Sequence, residues 1–218
     1  MSREIFDING LKLCVSKEHR FGTDAVNLAE FAVGAGFARP QTVCDLCTGC
    51  GVIPFLLLSG NPAKIYALDI NRDAIELLRE SVRINELEDV IIPVHEDLKD
   101  ITQIASGSID TVTMNPPYYK ADDGFKRRSG GTARHELLCE LDDAVKAASV
   151  LLKYGGRLKM CHIPERLADV ICTLRKYNLE PKIVKFLSNK KNEPRLILID
   201  AKKGGKPGLK IQYDCDIL

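Results

Sequence analysis

The chain contains no tryptophan, and phenylalanine and tyrosine together bring the aromatic share to only 6%. Base stacking is therefore confined to a few positions. Long apolar runs are also missing: none approaches the roughly 20 residues that a membrane-spanning helix needs, so no membrane role is expected. Histidine occurs four times, at 19, 95, 135 and 162. None of these residues forms a helical ligand pair with another, so each reads as structural or surface. Neither sign of charge dominates, the net charge being +1, and the overall value says little about partners. No internal repeat or low-complexity segment is evident.

Cysteine, by contrast, is abundant, with eight residues. Without a signal peptide they point to a reducing compartment, and a cytoplasmic location is expected. Cys44, Cys47 and Cys50 stand in a Cys-x-x-Cys-x-x-Cys pattern, which out of context suggests a metal, a cluster or a redox pair. Here one thiol falls in a strand and two in a glycine-bearing turn, where a nucleotide ligand would compete with any metal, so no metal is expected. The remaining five, at 14, 139, 161, 172 and 215, read as small core or surface residues.

With 218 residues, 45% hydrophobic and 28% charged, the chain can bury one full core without dividing. An Asn-Gly turn within residues 6 to 13 marks a hairpin, and Thr23 or Asp24 caps a helix through residue 32. Strands are expected over 42 to 46, 64 to 68, 90 to 94, 109 to 114, 157 to 162, 181 to 187 and 195 to 201. Helices are expected over 52 to 59, 71 to 85, 136 to 153 and 164 to 176. Such alternation predicts an α/β fold: a single-domain, doubly wound, mostly parallel seven-stranded sheet, Rossmann-like, with an N-terminal hairpin and helix extension. The last two strands lie too close in sequence for a crossover helix and should form an antiparallel edge hairpin. The corresponding divisions are residues 1–35 for the extension packed on the core, 36–205 for the main α/β domain and 206–218 for a tail.

Two segments carry chemistry. Thr42 to Pro54 runs from an apolar strand through Cys47-Thr48-Gly49-Cys50-Gly51 into a helix, an arrangement that cradles a nucleotide: glycines permit close approach, and the helix start offers free N–H groups. A second strand ends in Asp69, placed to bind ribose hydroxyls, and Asp97 follows the third, where it can accept a hydrogen bond from an adenine amino group. The loop lacks the Gly-x-Gly-x-x-Gly spacing of nicotinamide dehydrogenases, and no hydride-transfer residues stand out. Asn115-Pro116-Pro117-Tyr118 ends a buried strand. An amino nitrogen conjugated to a ring or carbonyl is a poor nucleophile until its hydrogens are held and its lone pair turned outward. The Asn115 carboxamide oxygen and the Pro116 carbonyl can accept those two hydrogens, the prolines stiffen the loop, and Tyr118 offers a ring for stacking.

In this order, these motifs resemble class I S-adenosylmethionine-dependent methyltransferases acting on amino nitrogens. With Phe21-Gly22-Thr23-Asp24-Ala25 and Glu193-Pro194-Arg195 added, the chain is similar to the bacterial methyltransferases that modify adenine N6 beside the anticodon of a valine tRNA. That resemblance implies S-adenosyl-L-methionine as cofactor and S-adenosyl-L-homocysteine as product. It implies a cofactor set of Thr23, Asp24, Asp45, Cys47, Gly49, Gly51, Asp69, Ile70, Asp97, Leu98 and Asn115, and a catalytic set of Asn115, Pro116, Pro117 and Tyr118. Cys47 departs from the pattern, standing where many such enzymes carry the first glycine. A monomer is expected.

Charge distribution bears on the substrate. Residues 120 to 135 carry +3 and residues 182 to 210 carry +7, leaving −9 on the remainder. Lys120, Lys126, Arg127, Arg128, Arg134, Lys190, Lys191 and Arg195 are accordingly expected to contact RNA phosphates. Two other readings stay open: a protein glutamine methyltransferase, which uses the same chemistry on a side-chain amide but usually carries an extra helical domain, and a non-catalytic cofactor-binding RNA-associated protein.

Overall fold

A computed structural model describes residues 3–34, 41–116, 141–189 and 192–214. A hairpin of β1 (Arg3–Ile8) and β2 (Leu11–Ser16) precedes α1 (Thr23–Gly34). Then follow β3 (Thr42–Leu46), α2 (Val52–Leu57), β4 (Lys64–Asp69), α3 (Arg72–Ile84), β5 (Ile91–His95) and β6 (Ile109–Met114). The second half comprises α4 (Leu141–Leu151), β7 (Leu152–His162), α5 (Leu167–Lys176), β8 (Leu179–Ser188), β9 (Pro194–Lys203) and β10 (Lys210–Asp214).

Eight of these strands form one sheet in the order β10-β8-β9-β7-β6-β3-β4-β5. Strands β5, β4, β3, β6 and β7 run parallel, and β9 returns antiparallel between β7 and β8. The α/β architecture, the mostly parallel sheet and the antiparallel hairpin of β8 and β9 are those expected, but the hairpin is not the edge, since β10 lies outside β8. The sheet has one strand more than the seven expected: Lys210–Asp214, read from sequence within a tail, pairs parallel with β8, and Tyr213 stacks on Phe186 with ring centroids 5.2 Å apart. A second difference concerns residues 152 to 156, expected as helix end and loop. The helix stops at Leu151, and the strand begins at once. The pairing with β6 shifts register there, and Gly155 takes φ +82°, a value that side chains resist.

Helices cover both faces. On one, α4 and α5 bury Val145, Leu151, Val170 and Leu174 against Leu46, Val112, Met114 and Leu158. On the other, α1, α2 and α3 bury Leu28, Phe55, Ile75 and Leu78 against Val43, Ile65 and Ile91. Helix α3 shows why such segments are helical: Asn71 caps it by accepting the Ala74 N–H, and Ala74, Ile75, Leu78 and Val82 recur at helical spacing on its buried side.

The N-terminal hairpin closes through Asn9 and Gly10, both at positive φ, as a two-residue turn of the hairpin type requires. Isolated hairpins are marginal in water. This one is anchored: Leu13 and Val15 are fully buried, each contributing roughly 1.5–3 kcal/mol, and Ser81 Oγ accepts the Cys14 N–H at 2.8 Å while Asn85 bridges both backbone groups of Lys12.

Candidate methyl-transfer site

Because β3 to β7 run parallel, their carboxyl ends gather the loops 47 to 51, 69 to 71, 95 to 98, 115 to 116 and 161 to 163 at one end of the sheet. β9 runs the other way, so its first residues reach the same end, where α1 also begins.

The glycine loop is tied to the acid that follows β4. The Thr48 N–H donates to Leu68 O at 3.0 Å, and the Gly49 N–H donates to Asp69 Oδ2 at 2.8 Å. The other Asp69 oxygen accepts the Asn71 N–H. Gly51 stands before α2 at φ +89°, and a Cβ there would lie 2.3 Å from Leu78 Cδ1. Cys47 adopts φ +58°, so it holds the left-handed conformation of the glycine it replaces. Beyond β4, Ile70 O lies 3.0 Å from His95 Nε2. Asp97 caps its own turn by accepting the Lys99 N–H at 2.9 Å.

Asp45, at the end of β3, is fully buried. Its Oδ1 accepts from Thr113 Oγ1 at 2.5 Å. Among the described residues, its Oδ2 and the hydroxyl of Thr48 are both buried without a completed hydrogen bond. Burial pushes the Asp45 carboxyl from 3.8 up to about 7; the Thr113 and Thr48 hydroxyls oppose this, and neighbouring Asp69 adds to it. Register places Asp45 beside Thr113, Thr113 beside Lys159 and Lys159 beside Asp200. A polar row thus crosses the sheet beneath α1. At its far end Asp200, 2% exposed, binds Lys159 Nζ at 2.6 Å and a two-pronged Arg157, while the Phe31 ring of α1 lies 5.0 Å from the Lys159 ammonium.

Asn115 follows β6 directly, and Cys161 Sγ donates to its Oδ1 at 3.0 Å. Pro116 is buried beside it. Thr23 and Asp24, at the start of α1, both receive Arg195 Nη2, at 2.9 and 3.1 Å. Arg195, expected on the RNA rim, is therefore spent in this structure on the α1 end of the site. Leu98, expected at the cofactor, is packed into the core on the α4 face and lines a cleft of about 320 Å³ with Ile101, Ile104, Ala147 and Val150. Pro117, Tyr118, Lys120, Lys126, Arg127, Arg128, Arg134, Lys190 and Lys191 lie outside the described residues.

The three cysteines of the pattern do not converge. Cys44 packs into the core of the α4 and α5 face, and Cys50 into that of the opposite face. Burial holds both as thiols, Cys44 well above its ordinary value and Cys50 at about 11. The basic run of residues 182 to 210 also divides. Lys182, Lys202, Lys203, Lys206 and Lys210 fall at the opposite end of the sheet from the glycine loop, by the strand directions. There Lys203 Nζ donates to Ser149 O in the last turn of α4 and to Leu152 O at the start of β7, and Lys182 Nζ donates to Lys206 O. A charge sum along the sequence could not separate the two ends.

A family model described as TRM5/TYW2 methyltransferase domain matches residues 31–127. The crystal structure of a predicted O-methyltransferase from Agrobacterium tumefaciens superposes with a TM-score of 0.68 at 18% identity, covering 87% of this chain and 85% of that one. With the strand order and the strand-end loops, these matches give the chain the fold of the class I S-adenosylmethionine-dependent methyltransferases. Within that class its sequence is similar to proteins named tRNA1(Val) (adenine(37)-N6)-methyltransferase. The one from Porphyromonas gingivalis is 29% identical over 185 residues, 82% of this chain and 72% of that protein. The one from Phocaeicola vulgatus is 26% identical over 182 residues, 83% of this chain and 75% of that protein.

Proposed function

We propose that the chain methylates the exocyclic N6 of an adenine in tRNA, in the anticodon loop of a valine tRNA, with S-adenosylmethionine as methyl donor. The observation that carries this reading is the position of Asn115, directly after β6 and beside the β3 end from which the glycine loop departs. Relatives named for that reaction match more than four fifths of the chain.

The cradle suits the cofactor. Asp45 Oδ2 and Thr48 Oγ1 are buried polar atoms without a completed hydrogen bond, a costly state that a ligand or water donor relieves. Asp45, Cys47, Gly49 and Gly51 would hold the amino-acid end, Thr23 and Asp24 the same end from α1, Asp69 and Ile70 the ribose, and Asp97 the adenine. The bound cofactor supplies a methyl group already activated on a sulfonium. The protein's work is alignment. Asn115 Oδ1 accepts one hydrogen of the target amine and the Pro116 carbonyl accepts the other, which frees the nitrogen lone pair from the ring. Pro117 stiffens the turn, and Tyr118 stacks on the base. An anticodon-loop adenine is unpaired, so the few kcal/mol needed to extract a base from a duplex are largely avoided.

Substitution Asn115→Ala tests the assignment. Methyl transfer should fall by about 10²-fold or more, a loss much larger than any change in cofactor affinity measured by calorimetry. Unchanged turnover removes Asn115 from the reaction. Charge reversal at Arg127 and Arg128 should weaken tRNA binding and flatten its salt dependence; an unaltered slope excludes that segment from the RNA contact.

A further inference from the structure

We infer that Cys161 is a positioning residue for methyl transfer, its thiol fixing which end of the Asn115 carboxamide faces the acceptor nitrogen. The inference rests on Asn115 receiving the target amine, as proposed above. Strand β7 lies beside β6 with Met160 opposite Met114, so the next residues along, Cys161 and Asn115, meet where the strands end. Cys161 is fully buried, and its Sγ lies 3.0 Å from Asn115 Oδ1.

A carboxamide has one end that accepts and one that donates, and the two are nearly the same shape. Only the oxygen can hold an amine hydrogen. Rotation by half a turn about the last side-chain bond would present N–H donors to N–H donors and oppose substrate. The oxygen carries two lone pairs, and the thiol is directed at one of them. A thiol suits this position because it donates weakly and packs as a small apolar group among Leu196 and Leu198 of β9. The neighbouring His162 accepts the Ile163 N–H at its Nδ1, and burial holds the ring neutral by lowering its value to about 4.

The test compares Cys161→Ala, which removes the donor, with Cys161→Ser, which keeps one, in the full chain. Methyl transfer from labelled S-adenosylmethionine into unmodified tRNA gives kcat and KM; calorimetry gives cofactor affinity; thermal melting gives stability. The Ala variant should lose about five- to tenfold in kcat, with KM and cofactor affinity within about twofold. The Ser variant should recover most of the lost kcat even where its melting temperature is no higher. A purely structural role would lower both variants alike with their stability, and that outcome, or wild-type kcat in the Ala variant, overturns the inference. A second readout is independent of turnover: the Asn115 side-chain amide signal in a ¹⁵N spectrum, assigned by its loss in Asn115→Ala. It should move in Cys161→Ala and stay near its place in Cys161→Ser. If the wild type modifies no tRNA, the functional reading fails, and the amide signal alone decides the contact: movement confined to the Ala variant supports it, and no movement rejects it.

Discussion

Replacing Asp45 by Asn should change how stability depends on pH in a way that few other substitutions in this chain would. Asp45 is fully buried; among the described residues one oxygen receives the Thr113 hydroxyl and the other completes no hydrogen bond. Burial raises its folded value to about 7 from 3.8. A carboxyl raised in the folded state keeps its proton where the unfolded chain has lost it. Its contribution is therefore fully present below pH 3.8 and is lost as pH climbs toward 7. At about 1.4 kcal/mol per pH unit, the gap corresponds to roughly 4 kcal/mol of stability lost across that window, after which the curve flattens. The carboxamide of the Asp45→Asn variant would not titrate, and other ionising groups contribute almost equally to both proteins. Urea unfolding at half-unit steps between about pH 4.5 and 8, without cofactor, gives the difference in unfolding free energy between wild type and Asp45→Asn. That difference should fall in wild type's disfavour as pH rises and level off near neutrality. A difference that is flat, or that grows in wild type's favour with pH, would mean Asp45 is already ionised in the fold and would refute the argument.

Gly51→Ala should cost about 2–3 kcal/mol, because the new methyl meets the fully buried Leu78 at 2.3 Å at φ +89°; denaturant midpoints measure the loss, and cofactor affinity should fall with it because α2 starts there. A wild-type midpoint would show the turn to be built otherwise. At Cys47, a left-handed side chain costs about 1–2 kcal/mol, and a glycine returns roughly 0.5–1 kcal/mol of that as backbone entropy lost on folding. Cys47→Gly should therefore unfold within about 1 kcal/mol of wild type, and Cys47→Val should lose more than about 2 kcal/mol because a β-branched residue resists positive φ; equal losses in both would assign the role to the side chain rather than to the backbone.

The central strands and the loops after them were legible because parallel strands buried on both faces leave continuous apolar runs, and because glycines and acids at their ends have few structural uses. Cys47 was the doubtful position, and the structure shows the loop accepting it in the glycine conformation. Other features were hidden for identifiable reasons. Strand β10 is exposed along its length and follows a Lys- and Gly-rich stretch, so it reads as tail; the signal was the alternation of Ile211 and Tyr213. Thr48, Thr113 and Cys161 look like ordinary strand or loop residues, since only the register that puts Thr113 beside Asp45 and the contact between Cys161 and Asn115 give them roles. Arg195 was expected at the RNA rim, whereas its partners in the structure lie some 170 residues earlier in the chain, at Thr23 and Asp24, a pairing that no local pattern encodes.

The central claim is methyl transfer to an adenine amino group in tRNA. The most direct measurement incubates the purified chain and labelled S-adenosylmethionine with unmodified total tRNA, duplex DNA and a ribosomal-protein and release-factor fraction in parallel, and identifies the labelled product by nucleoside and amino-acid analysis. Label in tRNA as N6-methyladenosine is the predicted result. Label in a glutamine side chain, in another tRNA nucleoside, or in none of the three substrates would contradict it.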